Sequence, residues 1–281
     1  MTDGNKKNRL SESSDSDVST INFPATAAFS GYRPFPSIMN LYGNFSGILE
    51  ALKTQKLCGA TENDILYLVE VHYGYTTRGP LHFGQGLYLR NGATTKDPIL
   101  AAAGDELPIP YLIKLFDPKT AIKLPPLDTE KNPRDMVTEI LRASTGKEHG
   151  VTFRFAIEVG MKKRQREEFE WRKVKGPKDI GGHETQNRYT LYRLTSNPSV
   201  ASSSSAPAPN DSQIVAELAF RNVMNVKHIF TLELLGAGLT GELGDRWTLM
   251  VVMTSLGLHW VRQNGKSNKA IIGAAQMIHS K

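Results

Sequence analysis

A mostly-β domain finished by a helix buried on every side is what the sequence predicts, and three features carry that expectation. Apolar residues recur at every second position from Asp64 onward, Asn91-Gly92 separates two such runs, and Asp245 to Gln263 is apolar almost throughout. Alternation with period two is the mark of half-buried strands, because successive side chains leave a strand on opposite faces. An Asn-Gly pair between strands marks a hairpin, because both turn residues must tolerate positive φ.

The elements follow in order. Residues 1–20 are polar and poor in apolar side chains, which predicts a disordered tail. Residues 21–63 mix Pro, Gly and aromatics and read as an irregular lead-in, with Ser46 to Leu57 a candidate short helix. Ile65, Tyr67, Val69, Val71 and Tyr73 form one face of the first clear strand, with Glu70 and His72 on the other. Gly74 to Pro80 reads as a turn, after which Leu81, Phe83, Leu87 and Leu89 keep the alternation up to Asn91. Ile99 to Ala103 and Ala121 to Leu124 are further short strands. Asn132-Pro133 predicts a helix start, with Met136, Ile140 and Leu141 as its buried side and Gly146 as its end.

Val151, Phe153, Phe155, Ile157 and Val159 make the clearest strand. Phe169 and Trp171, alternating with Glu168, Glu170 and Arg172, suggest the returning arm of a hairpin, and Tyr189 to Leu194 adds another strand. Ser196 to Ser212 is Ser/Pro/Ala-rich and reads as a flexible insertion within one domain, since too little chain follows it for a separate core. Ile214 to Phe220 and His228 to Leu234 resume the strand pattern. Asp245 then caps a helix whose apolar residues, from Trp247 through Val252 to Val261, occupy nearly every side. At about 1.5 Å per residue it is roughly 25 Å long, about the height of a small barrel. Thr254, Ser255, His259, Arg246 and Arg262 make it too polar and too short for a membrane anchor. Residues 264–281 form a basic tail, in which Lys269 to Lys281 is either a weakly amphipathic helix or frayed chain.

Charge and composition bound the chemistry. The 281 residues carry a formal net charge of +6, unevenly spread. Met161 to Lys178 holds eight Lys/Arg against three Glu, and Arg246 to Lys281 holds five Lys/Arg with no acid. A single cysteine, Cys58, allows no intrachain disulfide and suits a reducing compartment. With no secretory signal pattern and no long apolar run, the chain reads as soluble and intracellular, cytoplasmic or nuclear.

No catalytic residue can be nominated. Gly236 to Gly241 matches GxGxxG, yet no acidic residue follows Asp245 to hold a ribose and too little chain remains for a dinucleotide fold. A tight strand-to-helix turn explains these glycines. The seven histidines form no HxH or HxxxH pair and one cysteine gives no zinc pattern, so neither metal nor cofactor is expected. His72 and His82 read as surface residues and His259 as a core histidine. The run Lys162-Lys163-Arg164-Gln165-Arg166 is the binding candidate, as a cationic site for anionic lipid headgroups or as an import signal. The competing and favoured reading is a solvated hairpin tip, its charges partly balanced by the three Glu that follow.

The order of elements, with the segments GLYLRNGATTKDPILAAAGDE (Gly86 to Glu106), TFRFAIEVG (Thr152 to Gly160), EEFEWRKVKG (Glu167 to Gly176) and DRWTLMVVMTSLGLHWVRQ (Asp245 to Gln263), resembles the tubby-like superfamily. That group includes the LURP-one-related proteins and phospholipid scramblases, and the likeness is greatest to a filamentous-fungal branch. The resemblance covers roughly Asp64 to Gln263. It implies a closed antiparallel barrel of about twelve strands around the hydrophobic helix, a shape that also removes exposed strand edges. No lysine aligns with the headgroup pocket of tubby domains, so no family site is carried over.

Three functions follow as expectations. The first is a non-enzymatic binding or scaffold protein, touching anionic phospholipid or an unidentified protein partner through Lys162, Lys163, Arg164 and Arg166. The second is an enzyme or accessory protein of a small-molecule (secondary-metabolite) pathway with a pocket at the barrel mouth. The third is a nuclear regulator, although nucleic acid is not the expected partner.

Overall fold

The computed structural model describes residues 33–44, 53–105, 117–127, 136–160, 164–174, 187–194, 213–221 and 227–279. The expected tail at 1–20 and the Ser/Pro-rich insertion at 196–212 lie outside these. Twelve strands close an antiparallel barrel: β1 (Ile38–Gly43), β2 (Thr54–Cys58), β3 (Ile65–His72), β4 (Gly86–Arg90), β5 (Ile99–Gly104), β6 (Lys119–Leu124), β7 (Val137–Gly146), β8 (Gly150–Val159), β9 (Gln165–Val174), β10 (Arg188–Leu194), β11 (Gln213–Phe220) and β12 (His228–Leu234). Each strand pairs with its neighbours in sequence, and β1 pairs with β12 to complete the ring. Closure leaves no strand edge open to another chain.

Register follows from which residues must face inward. Phe153 stands opposite Trp171 and Phe155 opposite Phe169, the latter two rings stacked with centroids 5.4 Å apart. On the alternate positions Thr152 faces Arg172 and Arg154 faces Glu170. One face of the hairpin is therefore aromatic and the other ionic, as the alternation requires.

The interior is occupied by α2 (Asp245–Gln263), preceded by the single turn α1 (Gly236–Leu239). Every residue of α2 from Leu249 to Val261 is buried, as is Trp247. Its hydroxyls are satisfied locally: Thr254 and Ser255 donate to the Val251 carbonyl at 3.0 and 2.8 Å, and the Trp171 indole donates to Thr254 Oγ1 at 3.1 Å. A side chain at Gly257 would touch Leu141, Ile122 and Thr120, so the helix runs against the β6–β7 wall. Asp245 does not cap α2. The cap is Gly244, at φ 85°, and Asp245 is the first helical residue, where its charge suits the helix dipole. The GxGxxG stretch makes the strand-to-helix turn, with Gly238 held tight between the Val215 carbonyl and the Trp247 ring.

Four further expectations are corrected. The lead-in contains β1 and β2, so Thr54 to Leu57 is strand rather than helix. The helix expected from Asn132-Pro133 is instead β7 from Val137, with residues 128–135 outside the described set. Leu81 and Phe83 lie in turns rather than in a strand, and β4 begins only at Gly86. His72 is buried, its Nε2 2.7 Å from the His82 carbonyl and its ring 4.7 Å from that of Tyr88. At the C-terminus, α3 (Lys269–His279) decides between the two readings of the tail. It packs on β7 and β8, and its Gln276 Oε1 accepts from the Thr145 amide at 3.0 Å.

Candidate functional site

The cationic run lies at the β8–β9 turn, at the barrel end where α2 begins. Lys162 and Lys163 lie outside the described residues. Arg164 is exposed just ahead of β9, and no described carboxylate pairs with it. Arg166 is different. Its Nη2 donates to Glu139 Oε2 at 2.6 Å and its Nη1 to Glu158 Oε1 at 2.7 Å. The hydrogen bond that Arg166 donates to Glu139 raises the Arg166 pKa, against the opposing pull of burial. Burial pushes the Glu158 carboxyl up, but its backbone hydrogen bond and Arg166 outweigh this and hold it below the usual carboxylate range. Arg246, at the start of α2, lies 3.5 Å from the same carboxylate and donates to the Pro125 carbonyl at 2.7 Å. These groups tie β6, β7, β8 and β9 to the helix.

Two of the three Glu after the run are likewise committed elsewhere. Glu167 is held by Arg193 through two hydrogen bonds at 2.6 and 2.8 Å. Glu170 is only 1 % exposed, between Arg154 and Arg172. Burial there pushes its pKa up, and the two guanidinium groups overcome this and lower it. Arg172 also stacks over the Tyr192 ring at 4.4 Å. Around β8–β10 these charges neutralise one another in pairs.

Replacing Arg166 by Ala should therefore act on stability. Glu139 is buried and would lose its partner, at a cost of about 1–3 kcal/mol. A thermal melt without lipid should show a lowered midpoint. An unchanged midpoint would show that Arg166 is dispensable to the barrel.

A second exposed feature went unnoticed in the sequence. Residues 73–85, between β3 and β4, expose Tyr73, Tyr75 and Phe83, with Tyr75 88 % exposed and stacked beside Tyr73 at 6.1 Å. Beneath them Leu81 is buried with Tyr88, Ile99 and Ala102 in a small core of its own. The signal is the aromatic density of YGYTTRGPLHF, whose local pattern reads as turn and strand.

Elsewhere the chemistry is quiet. Cys58 is buried, and loss of solvent pushes its thiol up to about 11, far from a reactive thiolate. Among the described residues no group of three or more His, Cys, Asp or Glu could hold a metal ion, and no helix is long and apolar enough to cross a membrane. A cleft between α3 and the barrel is lined mainly by apolar side chains, including Leu141, Phe153, Ile272 and Ala275. Its Lys266 is already paired with Asp105 at 2.8 Å.

Comparison with protein-family models, with curated proteins and with solved structures finds no match.

Proposed function

We propose that the protein is a non-enzymatic binding or scaffold protein of tubby-like type, which engages an anionic phospholipid surface through Lys162, Lys163 and Arg164. The observation carrying this reading is that Arg164 stands exposed at the β8–β9 turn with no described carboxylate against it, while Arg166 is spent on Glu139 and Glu158. A helix filling the barrel directs recognition to the outer surface, which disfavours the alternative of a substrate pocket at the barrel mouth. Such a protein works peripherally, at an intracellular membrane face.

Liposome sedimentation tests the reading. Phosphatidylcholine vesicles with and without phosphoinositide are compared, using the wild type and a variant with Lys162→Ala, Lys163→Ala and Arg164→Ala. At about 1 kcal/mol per basic residue near an anionic surface, the three changes should weaken binding on the order of a hundredfold. Arg166 is left in place, so that lost affinity is not lost folding. Equal binding by the two proteins would remove this turn from the contact.

A further inference from the structure

The aromatic segment 73–85 stands at the barrel end opposite the β8–β9 turn. β3 finishes there at His72 and β4 starts there at Gly86, opposite Gly104 at the end of β5. The Asp105 amide donates to the Gln85 carbonyl at 2.8 Å, and Lys266, just past the end of α2, holds the Asp105 carboxylate. The α3 helix belongs to the same end, tied by Gln276 to Thr145 beside the β7–β8 turn. It exposes Met277 and Ile278, 68 % and 59 % accessible. Two separate apolar protrusions therefore share one end of the molecule.

The aromatic segment is held at several points. Gly74 and Gly79 adopt φ 76° and 95°, and His82 takes φ 49°, a left-handed conformation uncommon for a residue with a side chain. Gln85 Nε2 donates to the Tyr73 carbonyl at 3.1 Å, His72 grips the His82 carbonyl, and Leu81 anchors the segment from below. Rings fixed in this way lose little freedom on docking.

Charge indicates what they dock on. Residues 73–85 contain Arg78 and no acid, and residues 269–281 contain Lys269 and Lys281 and no acid, Lys266 being spent on Asp105. Tyrosine favours the headgroup level of a bilayer, where its ring meets hydrocarbon and its hydroxyl meets water. Basic residues at that level are drawn to anionic headgroups. Side chains as exposed as Tyr75 and Met277 suit a broad soft interface better than a closed groove.

We propose that this end of the barrel is a second contact with an anionic bilayer, formed by Tyr75, Phe83, Met277 and Ile278, with Arg78 and Lys269 facing the phosphates. It shares with the functional reading above only the class of ligand, and it does not depend on the β8–β9 turn. With contacts at opposite ends, one molecule can bridge two membranes.

Vesicles of phosphatidylcholine with phosphatidylserine separate these ideas by sedimentation and by light scattering from vesicle clusters. The end variant carries Tyr75→Ser, Phe83→Ser and Ile278→Ser, all exposed positions, and its thermal midpoint is checked against the wild type. The turn variant is the triple Ala protein described above. The wild type should sediment with vesicles and cluster them. Each variant should bind about tenfold or more weakly and cluster none. If the end variant binds and clusters like the wild type while the turn variant does not, the second contact is overturned and the turn stands. If only the end variant fails, the second contact stands and the turn falls. Loss of all sedimentation by the wild type would overturn both. A dimer in analytical ultracentrifugation that dissociates in the end variant would place a second copy on this face and overturn the lipid assignment.

Discussion

Val252→Asp is expected to leave no folded protein. Val252 is buried in the middle of α2, within the main core cluster, with strand side chains around it. A carboxylate there meets no donor, and burying an unpaired charge costs several kcal/mol even after relaxation. Domains of this kind hold about 5–15 kcal/mol of net stability, so the change consumes much or all of it. Circular dichroism should show a chain without a cooperative thermal transition. Leu256→Ala provides the graded comparison. It should remain folded while losing about 2–5 kcal/mol to a cavity, with a midpoint lower on the order of 10 °C. Ala270→Asp, exposed at the start of α3, should be close to neutral. A cooperative, wild-type-like melt for Val252→Asp would mean that the barrel does not enclose the helix.

That helix was legible because burial on all sides leaves a plain trace: no polar face remains to confuse the period. β8 was legible for the related reason that its inward positions Phe153, Phe155, Ile157 and Val159 are uniformly apolar, and β9 and β12 show the same pattern at Phe169 and Trp171 and at Phe230, Leu232 and Leu234. β7 failed the same test. Its inward set includes Glu139, which is buried against Arg166, so its alternation reads Glu139, Leu141, Ala143. The adjacent pair Ile140-Leu141 after Asn132-Pro133 then imitated a helix face. β2 was hidden similarly, because its inward Gln55 is a buried polar residue that meets His259 on α2. In each case a polar side chain faces inward because a partner far along the chain meets it, and local periodicity carries no record of that partner.

The cationic run shows the same limit. Its charge was visible, but which members are free was not, since the partners of Arg166 are a carboxylate 27 residues earlier on β7 and another on β8. The aromatic loop was missed for the opposite reason. Leu81 and Phe83 keep the strand alternation beyond Pro80, yet Leu81 turns inward to its own small core while Phe83 turns to solvent.

His259 should make the protein acid-sensitive well above the carboxylate range. The ring is enclosed near the end of α2, with the Phe220 and Phe230 rings each 6.4 Å away and Gln55 Nε2 3.2 Å from its Nε2. Burial, reinforced by nearby Arg262, lowers its pKa from 6.5 to about 3, so the folded ring is neutral and Nε2 accepts from the Gln55 amide. The unfolded chain binds a proton near pH 6.5, whereas the folded chain resists it down to about pH 3. Between those values unfolding takes up a proton, so stability falls as pH falls, by about 1.4 kcal/mol per pH unit. From neutral pH to about pH 5 the loss is about 2 kcal/mol. Glu158 and Glu170, whose pKa values are lowered in the fold, add a loss of the same sign only as pH approaches the ordinary carboxylate value of 4.5. The depressed His228 acts in the same window as His259, so the contribution of His259 is the difference between wild type and variant. His259→Leu removes the titrating ring and leaves the Gln55 amide without that partner, costing about 1–3 kcal/mol at neutral pH. Urea unfolding at several pH values should therefore show the variant weaker at pH 7 and the gap narrowing toward pH 5. Parallel pH profiles would mean that His259 titrates in the folded barrel as it does in the unfolded chain, as a solvated ring does.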